Sequence, residues 1–418
     1  MHLVRGAAVV NGRRSAAGER PADILGHMAD PTSPLNAPLI KAREISADEH
    51  REFLAQHPDA SFMQSPAWGA VKADWDSVSL GIYAGEKLVG AALVLLRWAP
   101  VVKRCLAYVP MGPVIDWSEY PAEAVVDALV EGVKRRGAFA LRFGPNVKAK
   151  RWDAADVRKA LGAGTMQTLD ELETAETYDV GLQLIEALKA RRARPLGGGM
   201  DFEAGQPAYL ALVPLVDGEG NQLDLDGVLG AYSGNNRRDT RKAMRAGFVL
   251  HEDPADGFDR FTALINETAK RQEFTARPAS YFKTLYKELN DQEPGSCRIY
   301  IASAPDDENH DLATAMLVMH GNQSWYLYGG SVLDRAYAGA PRLLQAVMIE
   351  AAIERGCVVL DQGGLTATLQ MGGDHAGGLT RFKTGVGADV FRMVGEWEIA
   401  ISKPITWAFN KYMQARSR

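Results

Sequence analysis

Residues Ala122 to Phe143 read AEAVVDALVEGVKRRGAFALRF, and the rhythm of this stretch changes once, at Arg136-Gly137. Before that point Val126, Leu129, Val130 and Val133 recur at helical spacing on one face, and after it Ala138 to Phe143 form an apolar strand. Glycine supplies the left-handed residue that closes a helix, so the helix passes directly into the strand. The same sentence is written again from Leu343 to Asp361, LLQAVMIEAAIERGCVVLD. There Leu344, Val347, Met348 and Ala351 share a face, Arg355-Gly356 ends the helix, and Val358 to Asp361 continue as a strand.

The flanks repeat as well. Upstream of the first helix lies a hairpin, Leu80 to Tyr83 and Val89 to Leu96, turning at Gly85-Glu86-Lys87. Upstream of the second lie Arg298 to Ala302 and Leu312 to Met319, joined by a longer polar loop. Helical segments precede both, around His50 to His57 and Phe258 to Arg271. Helix, hairpin, helix, strand therefore occurs twice, offset by roughly 220 residues, which implies two similar domains in tandem. The expected class is α/β (α+β), with mixed sheets flanked by helices.

A chain of 418 residues is long enough for two cores. Residues 1–38, rich in Ala, Arg, Gly and Pro, are expected to be a disordered leader, with Met28 as an alternative start. The first domain is expected at 39–200 plus 388–418 and the second at 201–387, divided near Gly197-Gly198-Gly199. Val390 to Val394 and Glu396 to Ile401 are read as strands. A helix after Pro404 carrying Trp407, Phe409 and Tyr412 is expected to fold back on the first domain.

Apolar residues make up 46% of the chain and charged residues 24%, as in a globular protein. With 47 basic and 52 acidic residues the net charge is −5, so contact with nucleic acid requires a local patch. Cys105, Cys297 and Cys357 stand far apart, which indicates neither a metal site nor a disulfide framework and suits a reducing cytoplasm. His320, in an apolar strand, is read as a satisfied structural residue. No apolar run approaches the roughly 18 residues of a membrane span.

Four segments carry candidate chemistry. The run Asn235 to Arg245 places Arg237, Arg241 and Arg245 on one helical face, with Arg238 and Lys242 alongside, a stripe able to neutralise phosphates. A solvated helix face is the competing reading. Trp325-Tyr326-Leu327-Tyr328-Gly329-Gly330-Ser331 places Tyr326 and Tyr328 on one side of a strand, followed by glycines that admit a close ligand, unless the strand is simply aromatic core. Gly339-Ala340-Pro341 opens a helix whose N-terminus can face an anion. Arg381-Phe382-Lys383-Thr384-Gly385-Val386-Gly387 follows a glycine-rich loop, Met371 to Gly378. It can hold Lys383 at a pocket edge to stabilise an oxyanion or phosphate, or it is a loop-to-strand transition with a surface lysine. G-x-S-x-G, a P-loop, G-x-G-x-x-G and H-E-x-x-H are all missing. Attack on a pre-activated acyl donor requires none of them, only positioning and charge stabilisation.

Taken in order, several of these pieces resemble the FemABX family, the aminoacyl-tRNA-dependent transferases that form peptidoglycan bridges. They are Phe62-Met63-Gln64-Ser65-Pro66-Ala67-Trp68 with Lys72 and Trp75, Tyr108-Val109-Pro110-Met111-Gly112-Pro113, the basic helix from Arg237, Arg271 with Phe274, Arg277 with Tyr281, Trp325 to Ser331, Asp361-Gln362-Gly363-Gly364, and Arg381-Phe382-Lys383. No heptad run follows Arg245, so the likeness is to the FemX-like subtype without a coiled-coil arm. Gly181 to Gln206 matches the family poorly. The resemblance implies two tandem GNAT-like acyltransferase domains, an aminoacyl-tRNA co-substrate and no cofactor. It also implies a peptidoglycan precursor as acceptor, UDP-MurNAc-pentapeptide or lipid II, with peripheral contact to a membrane. Carried over by motif, Lys72, Arg277, Tyr281 and Tyr328 would bind the precursor, Tyr326 would line the same pocket, and Phe382 and Lys383 would stand at the transfer centre. The stripe Arg237, Arg238, Arg241, Lys242 and Arg245 would meet tRNA. No residue is assigned as general base. A small peptide or natural product is the alternative acceptor; an acetyl-CoA transferase and an RNA-binding module are the rival classes.

Overall fold

The computed structural model describes residues 39–100, 102–197, 205–370 and 376–416. The expected leader, most of the Gly197-Gly198-Gly199 junction and residues 371–375 of the glycine-rich loop lie outside the described residues.

Both glycine-stopped helices form where the spacing places them, at Ala122–Arg135 and Ala340–Glu354. Gly137 and Gly356 follow with φ of 83° and 77°, a conformation that costs glycine nothing and turns each chain into its strand. Val126, Leu129 and Val133 of the first helix are buried, as are Leu344, Met348 and Ala351 of the second. Each large apolar side chain removed from water contributes about 1.5–3 kcal/mol, which fixes the helices against their sheets. In each case the strand after the helix runs parallel to the strand before it. Ala138–Phe143 pairs with Cys105–Val109, and Val359–Leu365 pairs with Gln323–Ser331.

The first sheet runs Ile40–Glu44, Asp76–Ala84, Lys87–Trp98, Cys105–Val109, Ala138–Phe143, Glu396–Ala400, Arg194–Leu196. The second runs Val249–Glu252, Cys297–Ala304, Asp307–His320, Gln323–Ser331, Val359–Leu365, Tyr209–Pro214, Asp389–Met393, Lys148–Trp152, Glu176–Thr177. The first five strands of each sheet correspond one to one, with the crossover helix before the fifth. The internal repeat seen in the sequence is thus a duplicated α/β unit, and the chain holds two such units in tandem. Beyond those strands the units interleave. Lys148–Trp152 and Glu176–Thr177 pair in the second sheet, and Asp389–Met393 lies there too, between Tyr209–Pro214 and Lys148–Trp152. Glu396–Ala400, three residues later, returns to the first sheet. Lys403–Arg416 then packs on that sheet through Phe409 against Phe139, as the aromatic spacing anticipates.

His320 bonds Glu293 Oε2 through Nδ1 at 2.9 Å, the structural role read from its strand. Two local expectations change. Arg381 to Gly385 is helix, part of Ala376–Gly385, rather than a loop entering a strand. Tyr326 and Tyr328 do not share a face. The pairing slips between Met316 and Leu317, opposite Tyr328 and Tyr326, and the bulge at Leu327 turns them to opposite sides of the sheet.

Candidate functional site

Two motifs distant in sequence meet through one buried glutamine. Gln64 sits in a short turn of 3-10 helix capped by Ser61. Its Oε1 accepts from Leu93 N at 3.0 Å, and its Nε2 donates to the Pro110 carbonyl. A Cβ on Gly112 would lie 2.3 Å from the Gln64 amide, so only glycine fits there. The neighbouring Met111 is held at φ 50°, a left-handed conformation seldom adopted by a non-glycine residue. Met111 is thereby presented to two cavities at once.

The larger cavity, about 770 Å³, is walled by Trp68, Lys72, Trp75, Arg97, Tyr108 and Arg277, and closed by Trp325, Tyr326, Asp361, Gly363 and Gly364. Its volume suits a ligand of several hundred daltons. Lys72 Nζ donates to Tyr281 Oη at 3.1 Å and stands 4.4 Å from the Trp68 ring centroid. Arg277 covers the other ring of the group, 5.3 Å from the Tyr281 centroid, and the Tyr281 and Tyr328 hydroxyls interact. Burial, and then the like charge of Arg277, lower the Lys72 pKa to about 8 against a smaller opposing effect of Asp74. A lysine held down by a neighbouring guanidinium at a cavity wall is a candidate anion site, because a bound diphosphate would remove the repulsion. Lys72, Arg277 with Tyr281, and Tyr328 are thus gathered from three separate segments; Lys72 and Arg277 line the cavity, while Tyr281 and Tyr328 stand behind them and do not. Tyr326 is only partly with them. It contributes to the cavity wall, but its ring packs into the core under Ala340–Glu354, and burial pushes its hydroxyl up to about 12. The glycines after it leave no room for a ligand. A Cβ at Gly329 would meet the Tyr326 hydroxyl at 1.9 Å, and one at Gly330 would meet the Leu264 carbonyl oxygen at 2.7 Å.

The second cavity, about 560 Å³, shares Met111, Leu210, Trp325 and Asp361 with the first. Asn146, Lys148, Tyr178, Asp179 and Ser324 supply its polar lining. Asp361 is thus the ionisable group common to both chambers. It is 7% exposed, and its Oδ1 accepts from Gly363 N at 2.6 Å. Burial raises the carboxyl to about 6, against the pull of that N–H and of Lys383. Lys383 stands immediately behind the wall formed by Gly363 and Gly364. It is 8% exposed, and its Nζ donates to Gly364 O at 2.7 Å. Burial brings it down to about 8, with Asp361 opposing. Gly363 adopts φ 82°, which a side chain would strain. Two groups of opposite charge type thus have pKa values displaced toward neutrality from both sides, the pattern expected of proton-transfer machinery. Gln362 Nε2 and Thr366 Oγ1, on and just beyond the same strand, are buried without a hydrogen-bond partner.

Phe382 is not in this group; it is 42% exposed and lines neither cavity. Helical geometry explains the separation, since consecutive residues diverge by about 100° around the axis.

The basic run forms the helix Gly234–Met244. Part of its charge is used locally, with Arg237 bonding Gly230 O at 3.2 Å and Arg241 pairing with Asp226 at 2.7 Å. Arg238 contacts the adjacent Asp239, while Lys242 and Arg245 are exposed. This helix docks on the Lys383 helix. Ser233 N donates to Gly385 O at 2.9 Å, and a Cβ at Gly385 would sit 2.3 Å from Asn236 Nδ2. It also abuts the start of Ala340–Glu354, where Arg342 bonds Asn236 Oδ1 at 2.6 Å. The basic face and the buried lysine are therefore parts of one rigid junction.

Asp361 belongs to a motif the sequence singles out, Asp361-Gln362-Gly363-Gly364, but receives no role there. Its signal is a lone acid ending an apolar strand next to two glycines, which reads equally well as a turn. Lys148, Tyr178 and Arg97 carry no local signal, because strand pairing between distant segments brings them to the cavities.

No helix among the described residues is long and apolar enough to cross a membrane. The chain is 22% identical to the lipid II:glycine glycyltransferase of Staphylococcus aureus strain bovine RF122 / ET3-1, over 88% of this chain and 94% of that protein. The same enzyme from strain USA300 is 21% identical over the same shares. Among solved structures, the crystal structure of FemX superposes with a TM-score of 0.68 at 19% identity, covering 88% of this chain and 99% of that one, and so shares its fold. The FemAB family model matches residues 45–305 and 291–414, and with the whole site inside those spans the chain belongs to the FemAB family.

Proposed function

We propose that this protein transfers an aminoacyl group from aminoacyl-tRNA to an amine on the stem peptide of a peptidoglycan precursor. The observation that carries this reading is the meeting of two chambers at Asp361, with paired cations on one wall and Lys383 behind another. Two chambers suit two substrates. Lys72 and Arg277 take the diphosphate of the acceptor, with Tyr281 and Tyr328 behind them. The acceptor peptide reaches Asp361. The charged tRNA end approaches along the junction between the basic helix and the Lys383 helix, where Arg238, Lys242 and Arg245 meet phosphates. The relatives named for glycyl transfer to lipid II support an acceptor of this class.

In the transfer step the amine nitrogen forms a bond to the ester carbonyl carbon, and the carbon–oxygen bond to the tRNA ribose breaks. Asp361 accepts the proton released by the amine. Lys383 turns from Gly364 O toward the carbonyl and stabilises the oxyanion, and the departing ribose oxygen takes up the proton held by Asp361. No bond to the protein forms, which agrees with the missing nucleophile motifs. Incubation with mixed charged tRNAs and a nucleotide-linked muramyl pentapeptide, followed by mass spectrometry, tests the reading. The expected product is heavier by one amino-acid residue and forms only when both substrates are present. Transfer to an unrelated small peptide at an equal rate, or acetylation from acetyl-CoA, overturns it.

A further inference from the structure

The C-terminal helix Lys403–Arg416 buries one face and leaves another unused. Ile405, Phe409 and Met413 pack with Leu106, Phe139 and Ala140, and Thr406 Oγ1 bonds Phe139 O at 3.0 Å. On the outer side Lys403, Trp407 and Lys411 form a stripe at i, i+4, i+8, with Trp407 67% exposed. The hairpin connection between Lys87–Trp98 and Cys105–Val109 adjoins this helix, since Ala99 packs into the same small cluster. That connection carries Trp98 and Val102, both exposed, and the exposed cations Lys103 and Arg104. Neither 97–104 nor 403–416 contains an aspartate or glutamate, although the whole chain has net charge −5. Among the described residues Asp76 touches the connection, accepting from Trp98 Nε1 at 2.6 Å, and the buried Glu398 reaches the helix at Asn410.

Strand register ties this surface to the larger cavity. Leu95 pairs with Tyr108 and Arg97 pairs with Leu106, and cross-strand partners face the same side of a sheet. Leu95, Arg97 and Tyr108 line the cavity, whereas Leu106 lies beneath the C-terminal helix. The helix and the cavity therefore occupy one face of the first sheet, with Arg97 on the cavity rim next to the hairpin.

We infer that the outer stripe of the C-terminal helix, with Trp98, Val102, Lys103 and Arg104 of the adjoining connection, forms a docking surface for an anionic phospholipid bilayer. The residue types select this occupant. Lysine and arginine side chains with no competing acids of their own attract anionic headgroups, and an exposed indole settles at the boundary between headgroups and acyl chains. The exposed aliphatic Val102, four residues after Trp98 and followed by Lys103 and Arg104, fits a hydrocarbon boundary, whereas stacking on nucleic-acid bases has no use for it. The inner face of the helix is already occupied by protein, so the contact is peripheral and reversible. The orientation of the cavity toward the bilayer rests on the transferase reading and selects the lipid-linked acceptor. The docking surface itself does not depend on that reading.

Co-sedimentation of the full chain with vesicles tests it. The protein is expected to sediment with vesicles of phosphatidylcholine plus phosphatidylglycerol, to remain in solution with phosphatidylcholine alone, and to be released by added salt. Each surface cation is worth roughly fivefold in binding to an anionic surface, so Lys403→Gln with Lys411→Gln is expected to weaken binding roughly 25-fold. Trp407→Ser weakens it separately, and circular dichroism checks that the variants fold. Equal sedimentation with both vesicle types, or anionic binding untouched by these substitutions, overturns the inference. So does binding of a single-stranded RNA oligomer, without vesicle binding, that the same substitutions abolish. Transfer to a soluble nucleotide-linked acceptor is measured in parallel. Transfer to a lipid-linked acceptor in the same vesicles is measured beside it, and if the wild type binds vesicles yet transfers to neither acceptor, the transferase reading fails and the surface stands.

Discussion

Replacing Lys383 by methionine isolates the contribution of one buried positive charge. Methionine retains most of the apolar stem and removes the ammonium, so the helix Ala376–Gly385 keeps its packing. The ammonium carries three protons; at rest Gly364 O at 2.7 Å holds one of them, and turning toward the carbonyl brings the ammonium to the oxyanion. At a contact of about 3 Å and an effective dielectric of about 20, a full charge pair has a ceiling of roughly 5.5 kcal/mol. Loss of one oxyanion donor ordinarily costs about 2.7–4 kcal/mol, or about 10²–10³ in kcat. The expected effect of Lys383→Met is therefore a fall in kcat of about 10²–10³ with KM for the acceptor little changed. Stability changes less. Gly364 O loses its donor, at about 1–3 kcal/mol, while the burial cost that lowers the lysine pKa is relieved. The thermal midpoint is expected to fall by about 2–4 °C, which circular dichroism measures before any rate is compared. Single-turnover transfer from charged tRNA then separates chemistry from binding. A kcat within roughly threefold of wild type, at unchanged KM, would refute the role given to Lys383.

Asp361 and Lys383 together set a pH profile. If the reaction needs Asp361 ionised and Lys383 protonated, the rate rises through about pH 6 and falls through about pH 8, and Asp361→Asn lowers kcat by about 10²–10⁴ and removes the acid limb. An acid limb that persists in that variant assigns the base elsewhere. Lys72→Met and Arg277→Met are expected to raise KM for the acceptor tenfold or more, about 1.4 kcal/mol or greater, with kcat little affected. A selective loss of kcat in steady-state assays would count against their placement at the diphosphate. Glu398 is 3% exposed and binds Arg142, Arg194 and Asn410, joining the strand Glu396–Ala400 to its neighbours and to the C-terminal helix. Burial alone would raise its carboxyl, but those hydrogen bonds more than offset burial and hold it below the ordinary glutamate value of 4.5. Its stabilisation is therefore complete above pH 4.5 and lost as pH falls through the lower folded value. Glu398→Ala is expected to cost about 3–5 kcal/mol in denaturant unfolding at neutral pH, and a loss below about 1 kcal/mol would contradict this account.

The sequence by itself determined the repeating unit. Helical spacing, a glycine stop and a following apolar strand are local signals, and both crossover helices and their strands form within a few residues of where those signals end. It also brought Lys72, Arg277, Tyr281 and Tyr328 into view through their motifs, and the fold groups them. Tertiary structure decided how those residues face. A single bulge at Leu327 sends Tyr326 and Tyr328 to opposite sides of a sheet, and strand periodicity cannot anticipate an inserted residue. Helical phase separates Phe382 from Lys383, a divergence that is invisible while the segment is read as a loop. The interleaving of the two units was also hidden. Asp389–Met393 finds partners in Tyr209–Pro214 and Lys148–Trp152, pairings across very long sequence separations that carry no local signature. That arrangement, completed by the left-handed Met111 held over Gln64, places Asp361 where two cavities meet. A lone aspartate ending an apolar strand becomes a candidate proton acceptor only when its surroundings exclude water and place Lys383 behind the same wall, and burial of that kind is a property of the assembled fold.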